Sequence, residues 1–151
     1  MLKYTETEVT FAEIPDEITL CINISNCPCH CEGCHSPHLW QDIGEELDVK
    51  VLYEILKPGI TCVVFMGGDS SPKDINHLAL LVKHMFTHIK VAWYSGRQEL
   101  PEEIDPSRFD YIKLGPYIKE LGPINVRTTN QRLYAVKDKE LIDITNKFWN
   151  D

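Results

Sequence analysis

Four cysteines fall within eight residues, in the run Cys27-Pro28-Cys29-His30-Cys31-Glu32-Gly33-Cys34. Cys27, Cys31 and Cys34 give the spacing C-x3-C-x2-C. Iron–sulfur clusters of the four-iron type usually take four thiolates. Three thiolates on one loop leave one iron open to a small molecule, and an open position is what separates catalytic metal sites from closed structural ones. Gly33 lets the backbone turn close to a metal, and Pro28 keeps Cys27 out of helical geometry. A structural zinc site is the alternative, because Cys29, His30 and His35 lie near enough in sequence to complete four N/S ligands. Neither short C-x-C piece matches the paired C-x2-C knuckles of zinc ribbons, and no second cysteine pair follows downstream. Cys29 reads as a free thiol beside the site, and His30, His35 and His38 read as groups bordering the loop.

Further along, Gly67-Gly68-Asp69 follows an apolar run. Glycines permit close backbone approach to a ligand, and Asp69 offers a carboxylate to an ammonium group, or alternatively a cap to the next helix. Ser95-Gly96, after Trp93-Tyr94, is a second candidate contact, or else a plain turn. Asn130-Gln131-Arg132 carries polar groups suited to a ligand carboxylate or a partner's backbone, and Lys113 stands near a strand end.

These residues need elements to hold them. Residues 5–13 alternate apolar and polar side chains, as a strand does, and residues 19–24 read as a buried strand running into the cysteine loop. Residues 48–57 predict a helix capped by Asp48, with Val49, Leu52, Tyr53 and Leu56 on one face and Pro58-Gly59 ending it. The apolar run 61–66 suits a strand covered on both faces. Residues 73–87 put Ile75, Leu78, Val82 and Met85 on one helical face. Residues 90–94, 111–114 and 133–136 read as further strands. Strand–loop–helix units at this spacing imply a parallel α/β sheet with right-handed crossovers. A full eight-stranded barrel needs about 200 residues or more, so 151 residues can form only a partial one, with a side open to a large partner.

Composition narrows the function classes. The chain is 43% hydrophobic and 25% charged, as for one ordinary globular domain spanning residues 1–151. The net charge of −8 and the lack of a Lys/Arg cluster argue against nucleic acid and anionic membranes as partners. No apolar run reaches the roughly 20 residues a membrane span needs. The first residues lack the basic-then-apolar order of a secretory signal, so a cytoplasmic location is expected. There, a dense cysteine cluster reads as metal binding, not a disulfide framework. Cys21 and Cys62, in apolar runs, read as core residues.

The C-x3-C-x2-C spacing is the signature of the radical S-adenosylmethionine superfamily. With Cys31-Glu32-Gly33-Cys34-His35, Phe65-Met66-Gly67-Gly68-Asp69, Val91-Ala92-Trp93-Tyr94-Ser95-Gly96 and the stretch from Arg127 to Tyr134, the chain resembles the glycyl-radical activating enzymes. Within them it is most similar to the activating proteins of anaerobic ribonucleoside-triphosphate reductases. The match spans residues 20–135. It departs from the wider superfamily in Gly33, where many members carry an aromatic residue, although the reductase-activating branch shares this glycine. It also lacks an N-terminal Gly-Pro-Gly stretch, and has Lys113-Leu114-Gly115 where relatives have Val-Asp-Gly.

The resemblance implies an open parallel β/α barrel of the radical S-adenosylmethionine type. It implies a [4Fe-4S] cluster on Cys27, Cys31 and Cys34, and S-adenosylmethionine held by Glu32, Gly33, Gly67, Gly68, Asp69, Ser95 and Asn130. Reductive cleavage of that cofactor would give a 5′-deoxyadenosyl radical that takes a hydrogen from a glycine of the large subunit of anaerobic ribonucleotide reductase. No catalytic side chain is implied beyond the cluster and its cofactor. Flavodoxin or ferredoxin would be the electron donor. Activation of another glycyl-radical enzyme, of the formate-lyase type, and a non-catalytic zinc module are the alternatives. Metal analysis separates the last: anaerobically purified protein is expected to be brown, with iron and sulfide, whereas a colourless protein with one zinc would establish the module.

Overall fold

The computed structural model describes residues 2–25 and 41–149. The cysteine run, with Glu32 and Gly33, lies outside the described residues. Among the described residues, eight strands form one sheet. They are β1 (Lys3–Thr10), β2 (Thr19–Ile24), β3 (Glu45–Glu46), β4 (Cys62–Met66), β5 (Lys90–Tyr94), β6 (Tyr111–Leu114), β7 (Arg132–Lys137) and β8 (Glu140–Asp143). Their order across the sheet is β3-β1-β2-β4-β5-β6-β7-β8. The four central strands β2, β4, β5 and β6 pair in parallel, and every other pairing is antiparallel. The sheet is therefore mixed, with a parallel block at its centre.

Alternation along the parallel strands builds two cores. Leu20, Ile22 and Ile24, Val63 and Phe65, Val91 and Trp93, and Ile112 and Leu114 face two helices, α1 (Val49–Ile55) and α2 (Pro72–Met85). On the other face, Cys21, Cys62, Val64, Ala92 and Tyr94 pack with Leu133 and with the fully buried Ile14. Burial pushes the Cys21 thiol up to about 12 and raises that of Cys62 still further, so both are inert core groups.

Local chemistry explains the helices. Asp48 caps α1, accepting the Val51 N–H at 3.0 Å. Pro72 opens α2 at a position where its missing N–H costs nothing. The buried stripe of α2 is Ile75, Leu78, Ala79 and Val82. Tyr53 departs from the expected buried face of α1: it is 60% exposed and lies against the Phe86 ring. A helix of seven residues has one buried position, Leu52, and that is too few to draw a whole stripe inward. The strand expected over residues 5–13 stops at Thr10, because residues 11–18 leave the ladder to cross the second face.

A polar knot fastens that crossing. Glu17, 7% exposed, accepts from Thr61 Oγ1 at 2.6 Å, from Lys90 Nζ at 2.7 Å and from Tyr111 Oη at 3.3 Å. Its three partners stand at or beside the N-terminal ends of β4, β5 and β6. Among the described residues, no helix is long and apolar enough to cross a membrane. Glu17→Ala removes the shared acceptor of Thr61, the half-exposed Lys90 and Tyr111, and is expected to cost about 1–2 kcal/mol, read as a lower chemical-denaturation midpoint at unchanged slope.

Candidate active site at the C-terminal strand edge

Parallel pairing brings the C-terminal ends of β2, β4, β5 and β6 to one edge, where open α/β sheets hold their ligands. Four of the expected site residues meet there. Gly67 and Gly68 follow β4 with φ of 105° and 84°, the left-handed region that favours glycine. A Cβ on Gly67 would lie 3.0 Å from the Ile24 carbonyl oxygen, and one on Gly68 would lie 2.5 Å from the Ile75 side chain. The turn is thus bare main chain packed against the end of β2, three residues before Cys27. Trp93 Nε1 donates to the Gly67 carbonyl at 2.6 Å, and the Gly67 N–H donates to the Tyr94 carbonyl at 3.0 Å.

Asp69 is only 2% exposed, and its charge is met by the next strand's loop. Ser95 Oγ donates to Oδ1 at 2.5 Å and the Gly96 N–H to Oδ2 at 2.9 Å. Arg97 Nη2 reaches the Asp69 carbonyl at 2.8 Å, with Nε 3.6 Å from Oδ1. The carboxylate does not cap α2, whose first turn starts from Ser71 without a side-chain cap. It ties the β4 loop to the β5 loop. Ser95, a plain turn on one reading, is a member of this tie.

Arg97 is the residue that sequence reasoning missed. Its guanidinium is 44% exposed, its N–H donates to Ser95 Oγ at 3.0 Å, and its carbonyl accepts the Gly115 N–H at 2.6 Å. It therefore joins the ends of β4, β5 and β6. Nothing in its position after Ser95-Gly96 announced this, since an arginine in a turn is ordinarily solvated.

Asn130 does not meet Asp69. It sits one strand further along, where Nδ2 donates to the Pro116 carbonyl at 3.1 Å, beside Gln131, whose Nε2 donates to the Gly115 carbonyl at 3.4 Å. Lys113 approaches the edge through its main chain, accepting the Ser95 N–H at 2.9 Å, while Nζ lies 5.0 Å from the centre of the Tyr94 ring. The Tyr94 hydroxyl donates to the Glu13 carbonyl, which anchors the 11–18 crossing beneath the edge. Burial raises the Tyr94 hydroxyl well above its ordinary value, with the Glu13 charge adding to the effect. Burial likewise raises the Glu13 carboxyl, against the pull of the Lys113 charge.

The cysteine segment leaves and rejoins this framework at one place. Past β2, the Ser25 N–H donates to the Lys3 carbonyl at 3.0 Å, and Ser25 Oγ donates to the Ile43 carbonyl at 2.5 Å. The two ends of the segment are fastened to each other beside the Gly67 turn. Among the described residues, no three His, Cys, Asp or Glu side chains gather to hold a metal ion.

Comparison with known proteins agrees with the chemistry of the cysteines. Residues 18–103, more than half of the chain, match the model of a family described as a 4Fe-4S single cluster domain, and the chain belongs to that family. An iron–sulfur cluster is thus its cofactor. No curated protein and no solved structure matches it. Because the Asp69 charge is matched by its neighbours, Asp69→Ala is expected to lower stability by about 2–4 kcal/mol and Asp69→Asn by less, measured by denaturant unfolding.

Proposed function

We propose that this protein cleaves S-adenosylmethionine reductively at its [4Fe-4S] cluster and thereby activates a glycyl-radical enzyme, the anaerobic ribonucleotide reductase. The observation that carries the reading is the packing of the Gly67 turn on Ile24. It sets the C-terminal edge of the parallel strands directly beside the root of the cysteine segment, which supports a ligand site there. Cys27, Cys31 and Cys34 would hold three irons and leave the fourth for the cofactor.

The edge suits a ligand that carries a carboxylate. Bare main chain at Gly67 and Gly68 permits close approach, and the half-exposed Arg97 guanidinium stands beside them, held from behind by the buried Asp69. In this reading Gly67, Gly68, Asp69 and Ser95 hold S-adenosylmethionine, with Glu32 and Gly33 contributing from the cysteine segment. Ser95 and Gly96 fix the Asp69 carboxylate in one orientation, so little reorganisation accompanies binding. Trp93, fully buried behind the turn, helps exclude water from that side. When bound, the cluster and the cofactor together supply one-electron cleavage and hydrogen-atom abstraction.

The parallel block is taken here as part of an open β/α barrel, and the large subunit of the reductase as the substrate. A flavodoxin or ferredoxin would deliver the electron. Anaerobically reconstituted protein with dithionite is expected to convert S-adenosylmethionine to methionine and 5′-deoxyadenosine. With the reductase added, it should produce a glycyl signal in electron-spin resonance. Absence of cleavage would overturn the proposal. Cleavage with no signal on a reductase would overturn the partner and leave the chemistry.

A further inference from the structure

The Asp69 knot has a closed member and an open one. Asp69 is 2% exposed, and its two carboxylate oxygens accept from Ser95 Oγ and from the Gly96 N–H. At that exposure the ammonium group of a ligand does not reach the carboxylate. Arg97 is the member that solvent does reach, with its side chain 44% exposed. Its main chain is held on both sides: the N–H donates to Ser95 Oγ at 3.0 Å, and the carbonyl accepts the Gly115 N–H at 2.6 Å. Its guanidinium is held in turn through Nη2, which donates to the Asp69 carbonyl at 2.8 Å.

A guanidinium grips a carboxylate with two parallel N–H groups on one of its edges. Here the edge that carries Nε faces Asp69, with Nε 3.6 Å from Oδ1. Nη1 has no hydrogen-bond partner among the described residues, so the edge that carries it remains for a ligand. The bare turn at Gly67 and Gly68 leaves room beside it. Other cations at this end of the sheet are engaged elsewhere. Lys113 Nζ lies 5.0 Å from the centre of the Tyr94 ring, and its charge acts on the Glu13 carboxyl. Arg132 lines a cleft with Gly115 and Asn130, where it stands 4.0 Å from Asp143 and 5.8 Å from the centre of the Trp149 ring. The Asp69 charge weakens the pull of Arg97 on an anion, yet the same contact fixes its direction.

We infer that Arg97 binds the carboxylate of S-adenosylmethionine, and that Asp69 is a positioning residue that aims this guanidinium and does not touch the cofactor's ammonium. The inference rests on the proposed cofactor and divides the labour within its site. Asp69 holds the cofactor at second hand, through Arg97 and the Ser95-Gly96 loop. The carboxylate is then a group on which the site discriminates.

The test is equilibrium binding, by anaerobic calorimetry, to full-length, cluster-loaded protein without reductant, so that nothing is cleaved. Two ligands are compared: S-adenosylmethionine and its decarboxylated analogue, which keeps the ammonium and the sulfonium. Arg97→Gln is expected to weaken S-adenosylmethionine about tenfold, the low end for a charged hydrogen bond because the group is half-exposed, and to leave the analogue unchanged. Asp69→Asn should also weaken S-adenosylmethionine and leave the analogue unchanged, since the analogue has no carboxylate for Arg97 to grip. If the analogue binds too weakly to titrate, the carboxamide of S-adenosylmethionine replaces it, with a smaller loss in Arg97→Gln than the cofactor itself suffers. Arg97→Lys keeps the charge and loses the planar fork. It is the deciding variant if Arg97→Gln fails to fold, and it should weaken S-adenosylmethionine alone. Unchanged affinity for S-adenosylmethionine in the Arg97 variant, or equal weakening of both ligands, overturns the inference. Equal weakening of both by Asp69→Asn gives Asp69 the ammonium and overturns its positioning role. All these outcomes leave the proposed cofactor standing, whereas binding of neither ligand by the unaltered protein overturns that reading and the inference with it.

Discussion

Parallel pairing of β2, β4, β5 and β6 is the constraint from which the rest of this molecule follows. It aligns four strand ends on one edge and four strand beginnings on the other. Each edge then carries buried charge. At the beginnings, Glu17 gathers Thr61, Lys90 and Tyr111. At the ends, Asp69 gathers Ser95, Gly96 and Arg97. A buried carboxylate is tolerated when it is paired and hydrogen-bonded, and both are. The two knots differ in what surrounds them. The Glu17 knot fastens a crossing segment over a filled core, whereas the Asp69 knot adjoins the root of the cysteine segment and a cleft.

Much of this was legible before any coordinates. The runs that became β2, β4 and β5 are short, continuous and apolar because they are covered on both faces, and their shortness between turn residues separates them from a buried helix. Asp48 as a cap, one apolar face and the Pro58-Gly59 stop together announced α1. Gly67, Gly68 and Asp69 by themselves read as an ordinary turn, and it was the cysteine loop elsewhere in the sequence that turned them into a candidate site.

Other features lay beyond sequence reasoning on identifiable physical grounds. The hairpin of β7 and β8 turns through Asp138 and Lys139, both at positive φ (51° and 67°), where Asn-Gly or Asp-Gly would have signalled it. The two-residue β3 is created by the company of β1 and has no signature of its own. The reach of Arg97 to three strand ends depends on register, which a lone sequence does not reveal. The distance of Asn130 from Asp69 depends on the register of β7 against β6, which motif order does not give. Residues 11–13, the start of the crossing, read as an extension of the strand because the alternation runs on into them after the ladder has stopped at Thr10.

The fastening of Ser25 to Ile43 has a consequence for how such a chain changes over time. Two hydrogen bonds from one serine close the sheet framework before the chain departs and after it returns. The two flanks of that stretch are therefore held together by the framework itself. Loop-closure entropy grows only as the logarithm of length, so lengthening that stretch costs little. The cysteine segment is in this sense a cassette, in which insertions, ligand swaps or a different spacing can be tried while the sheet that supports them stays the same.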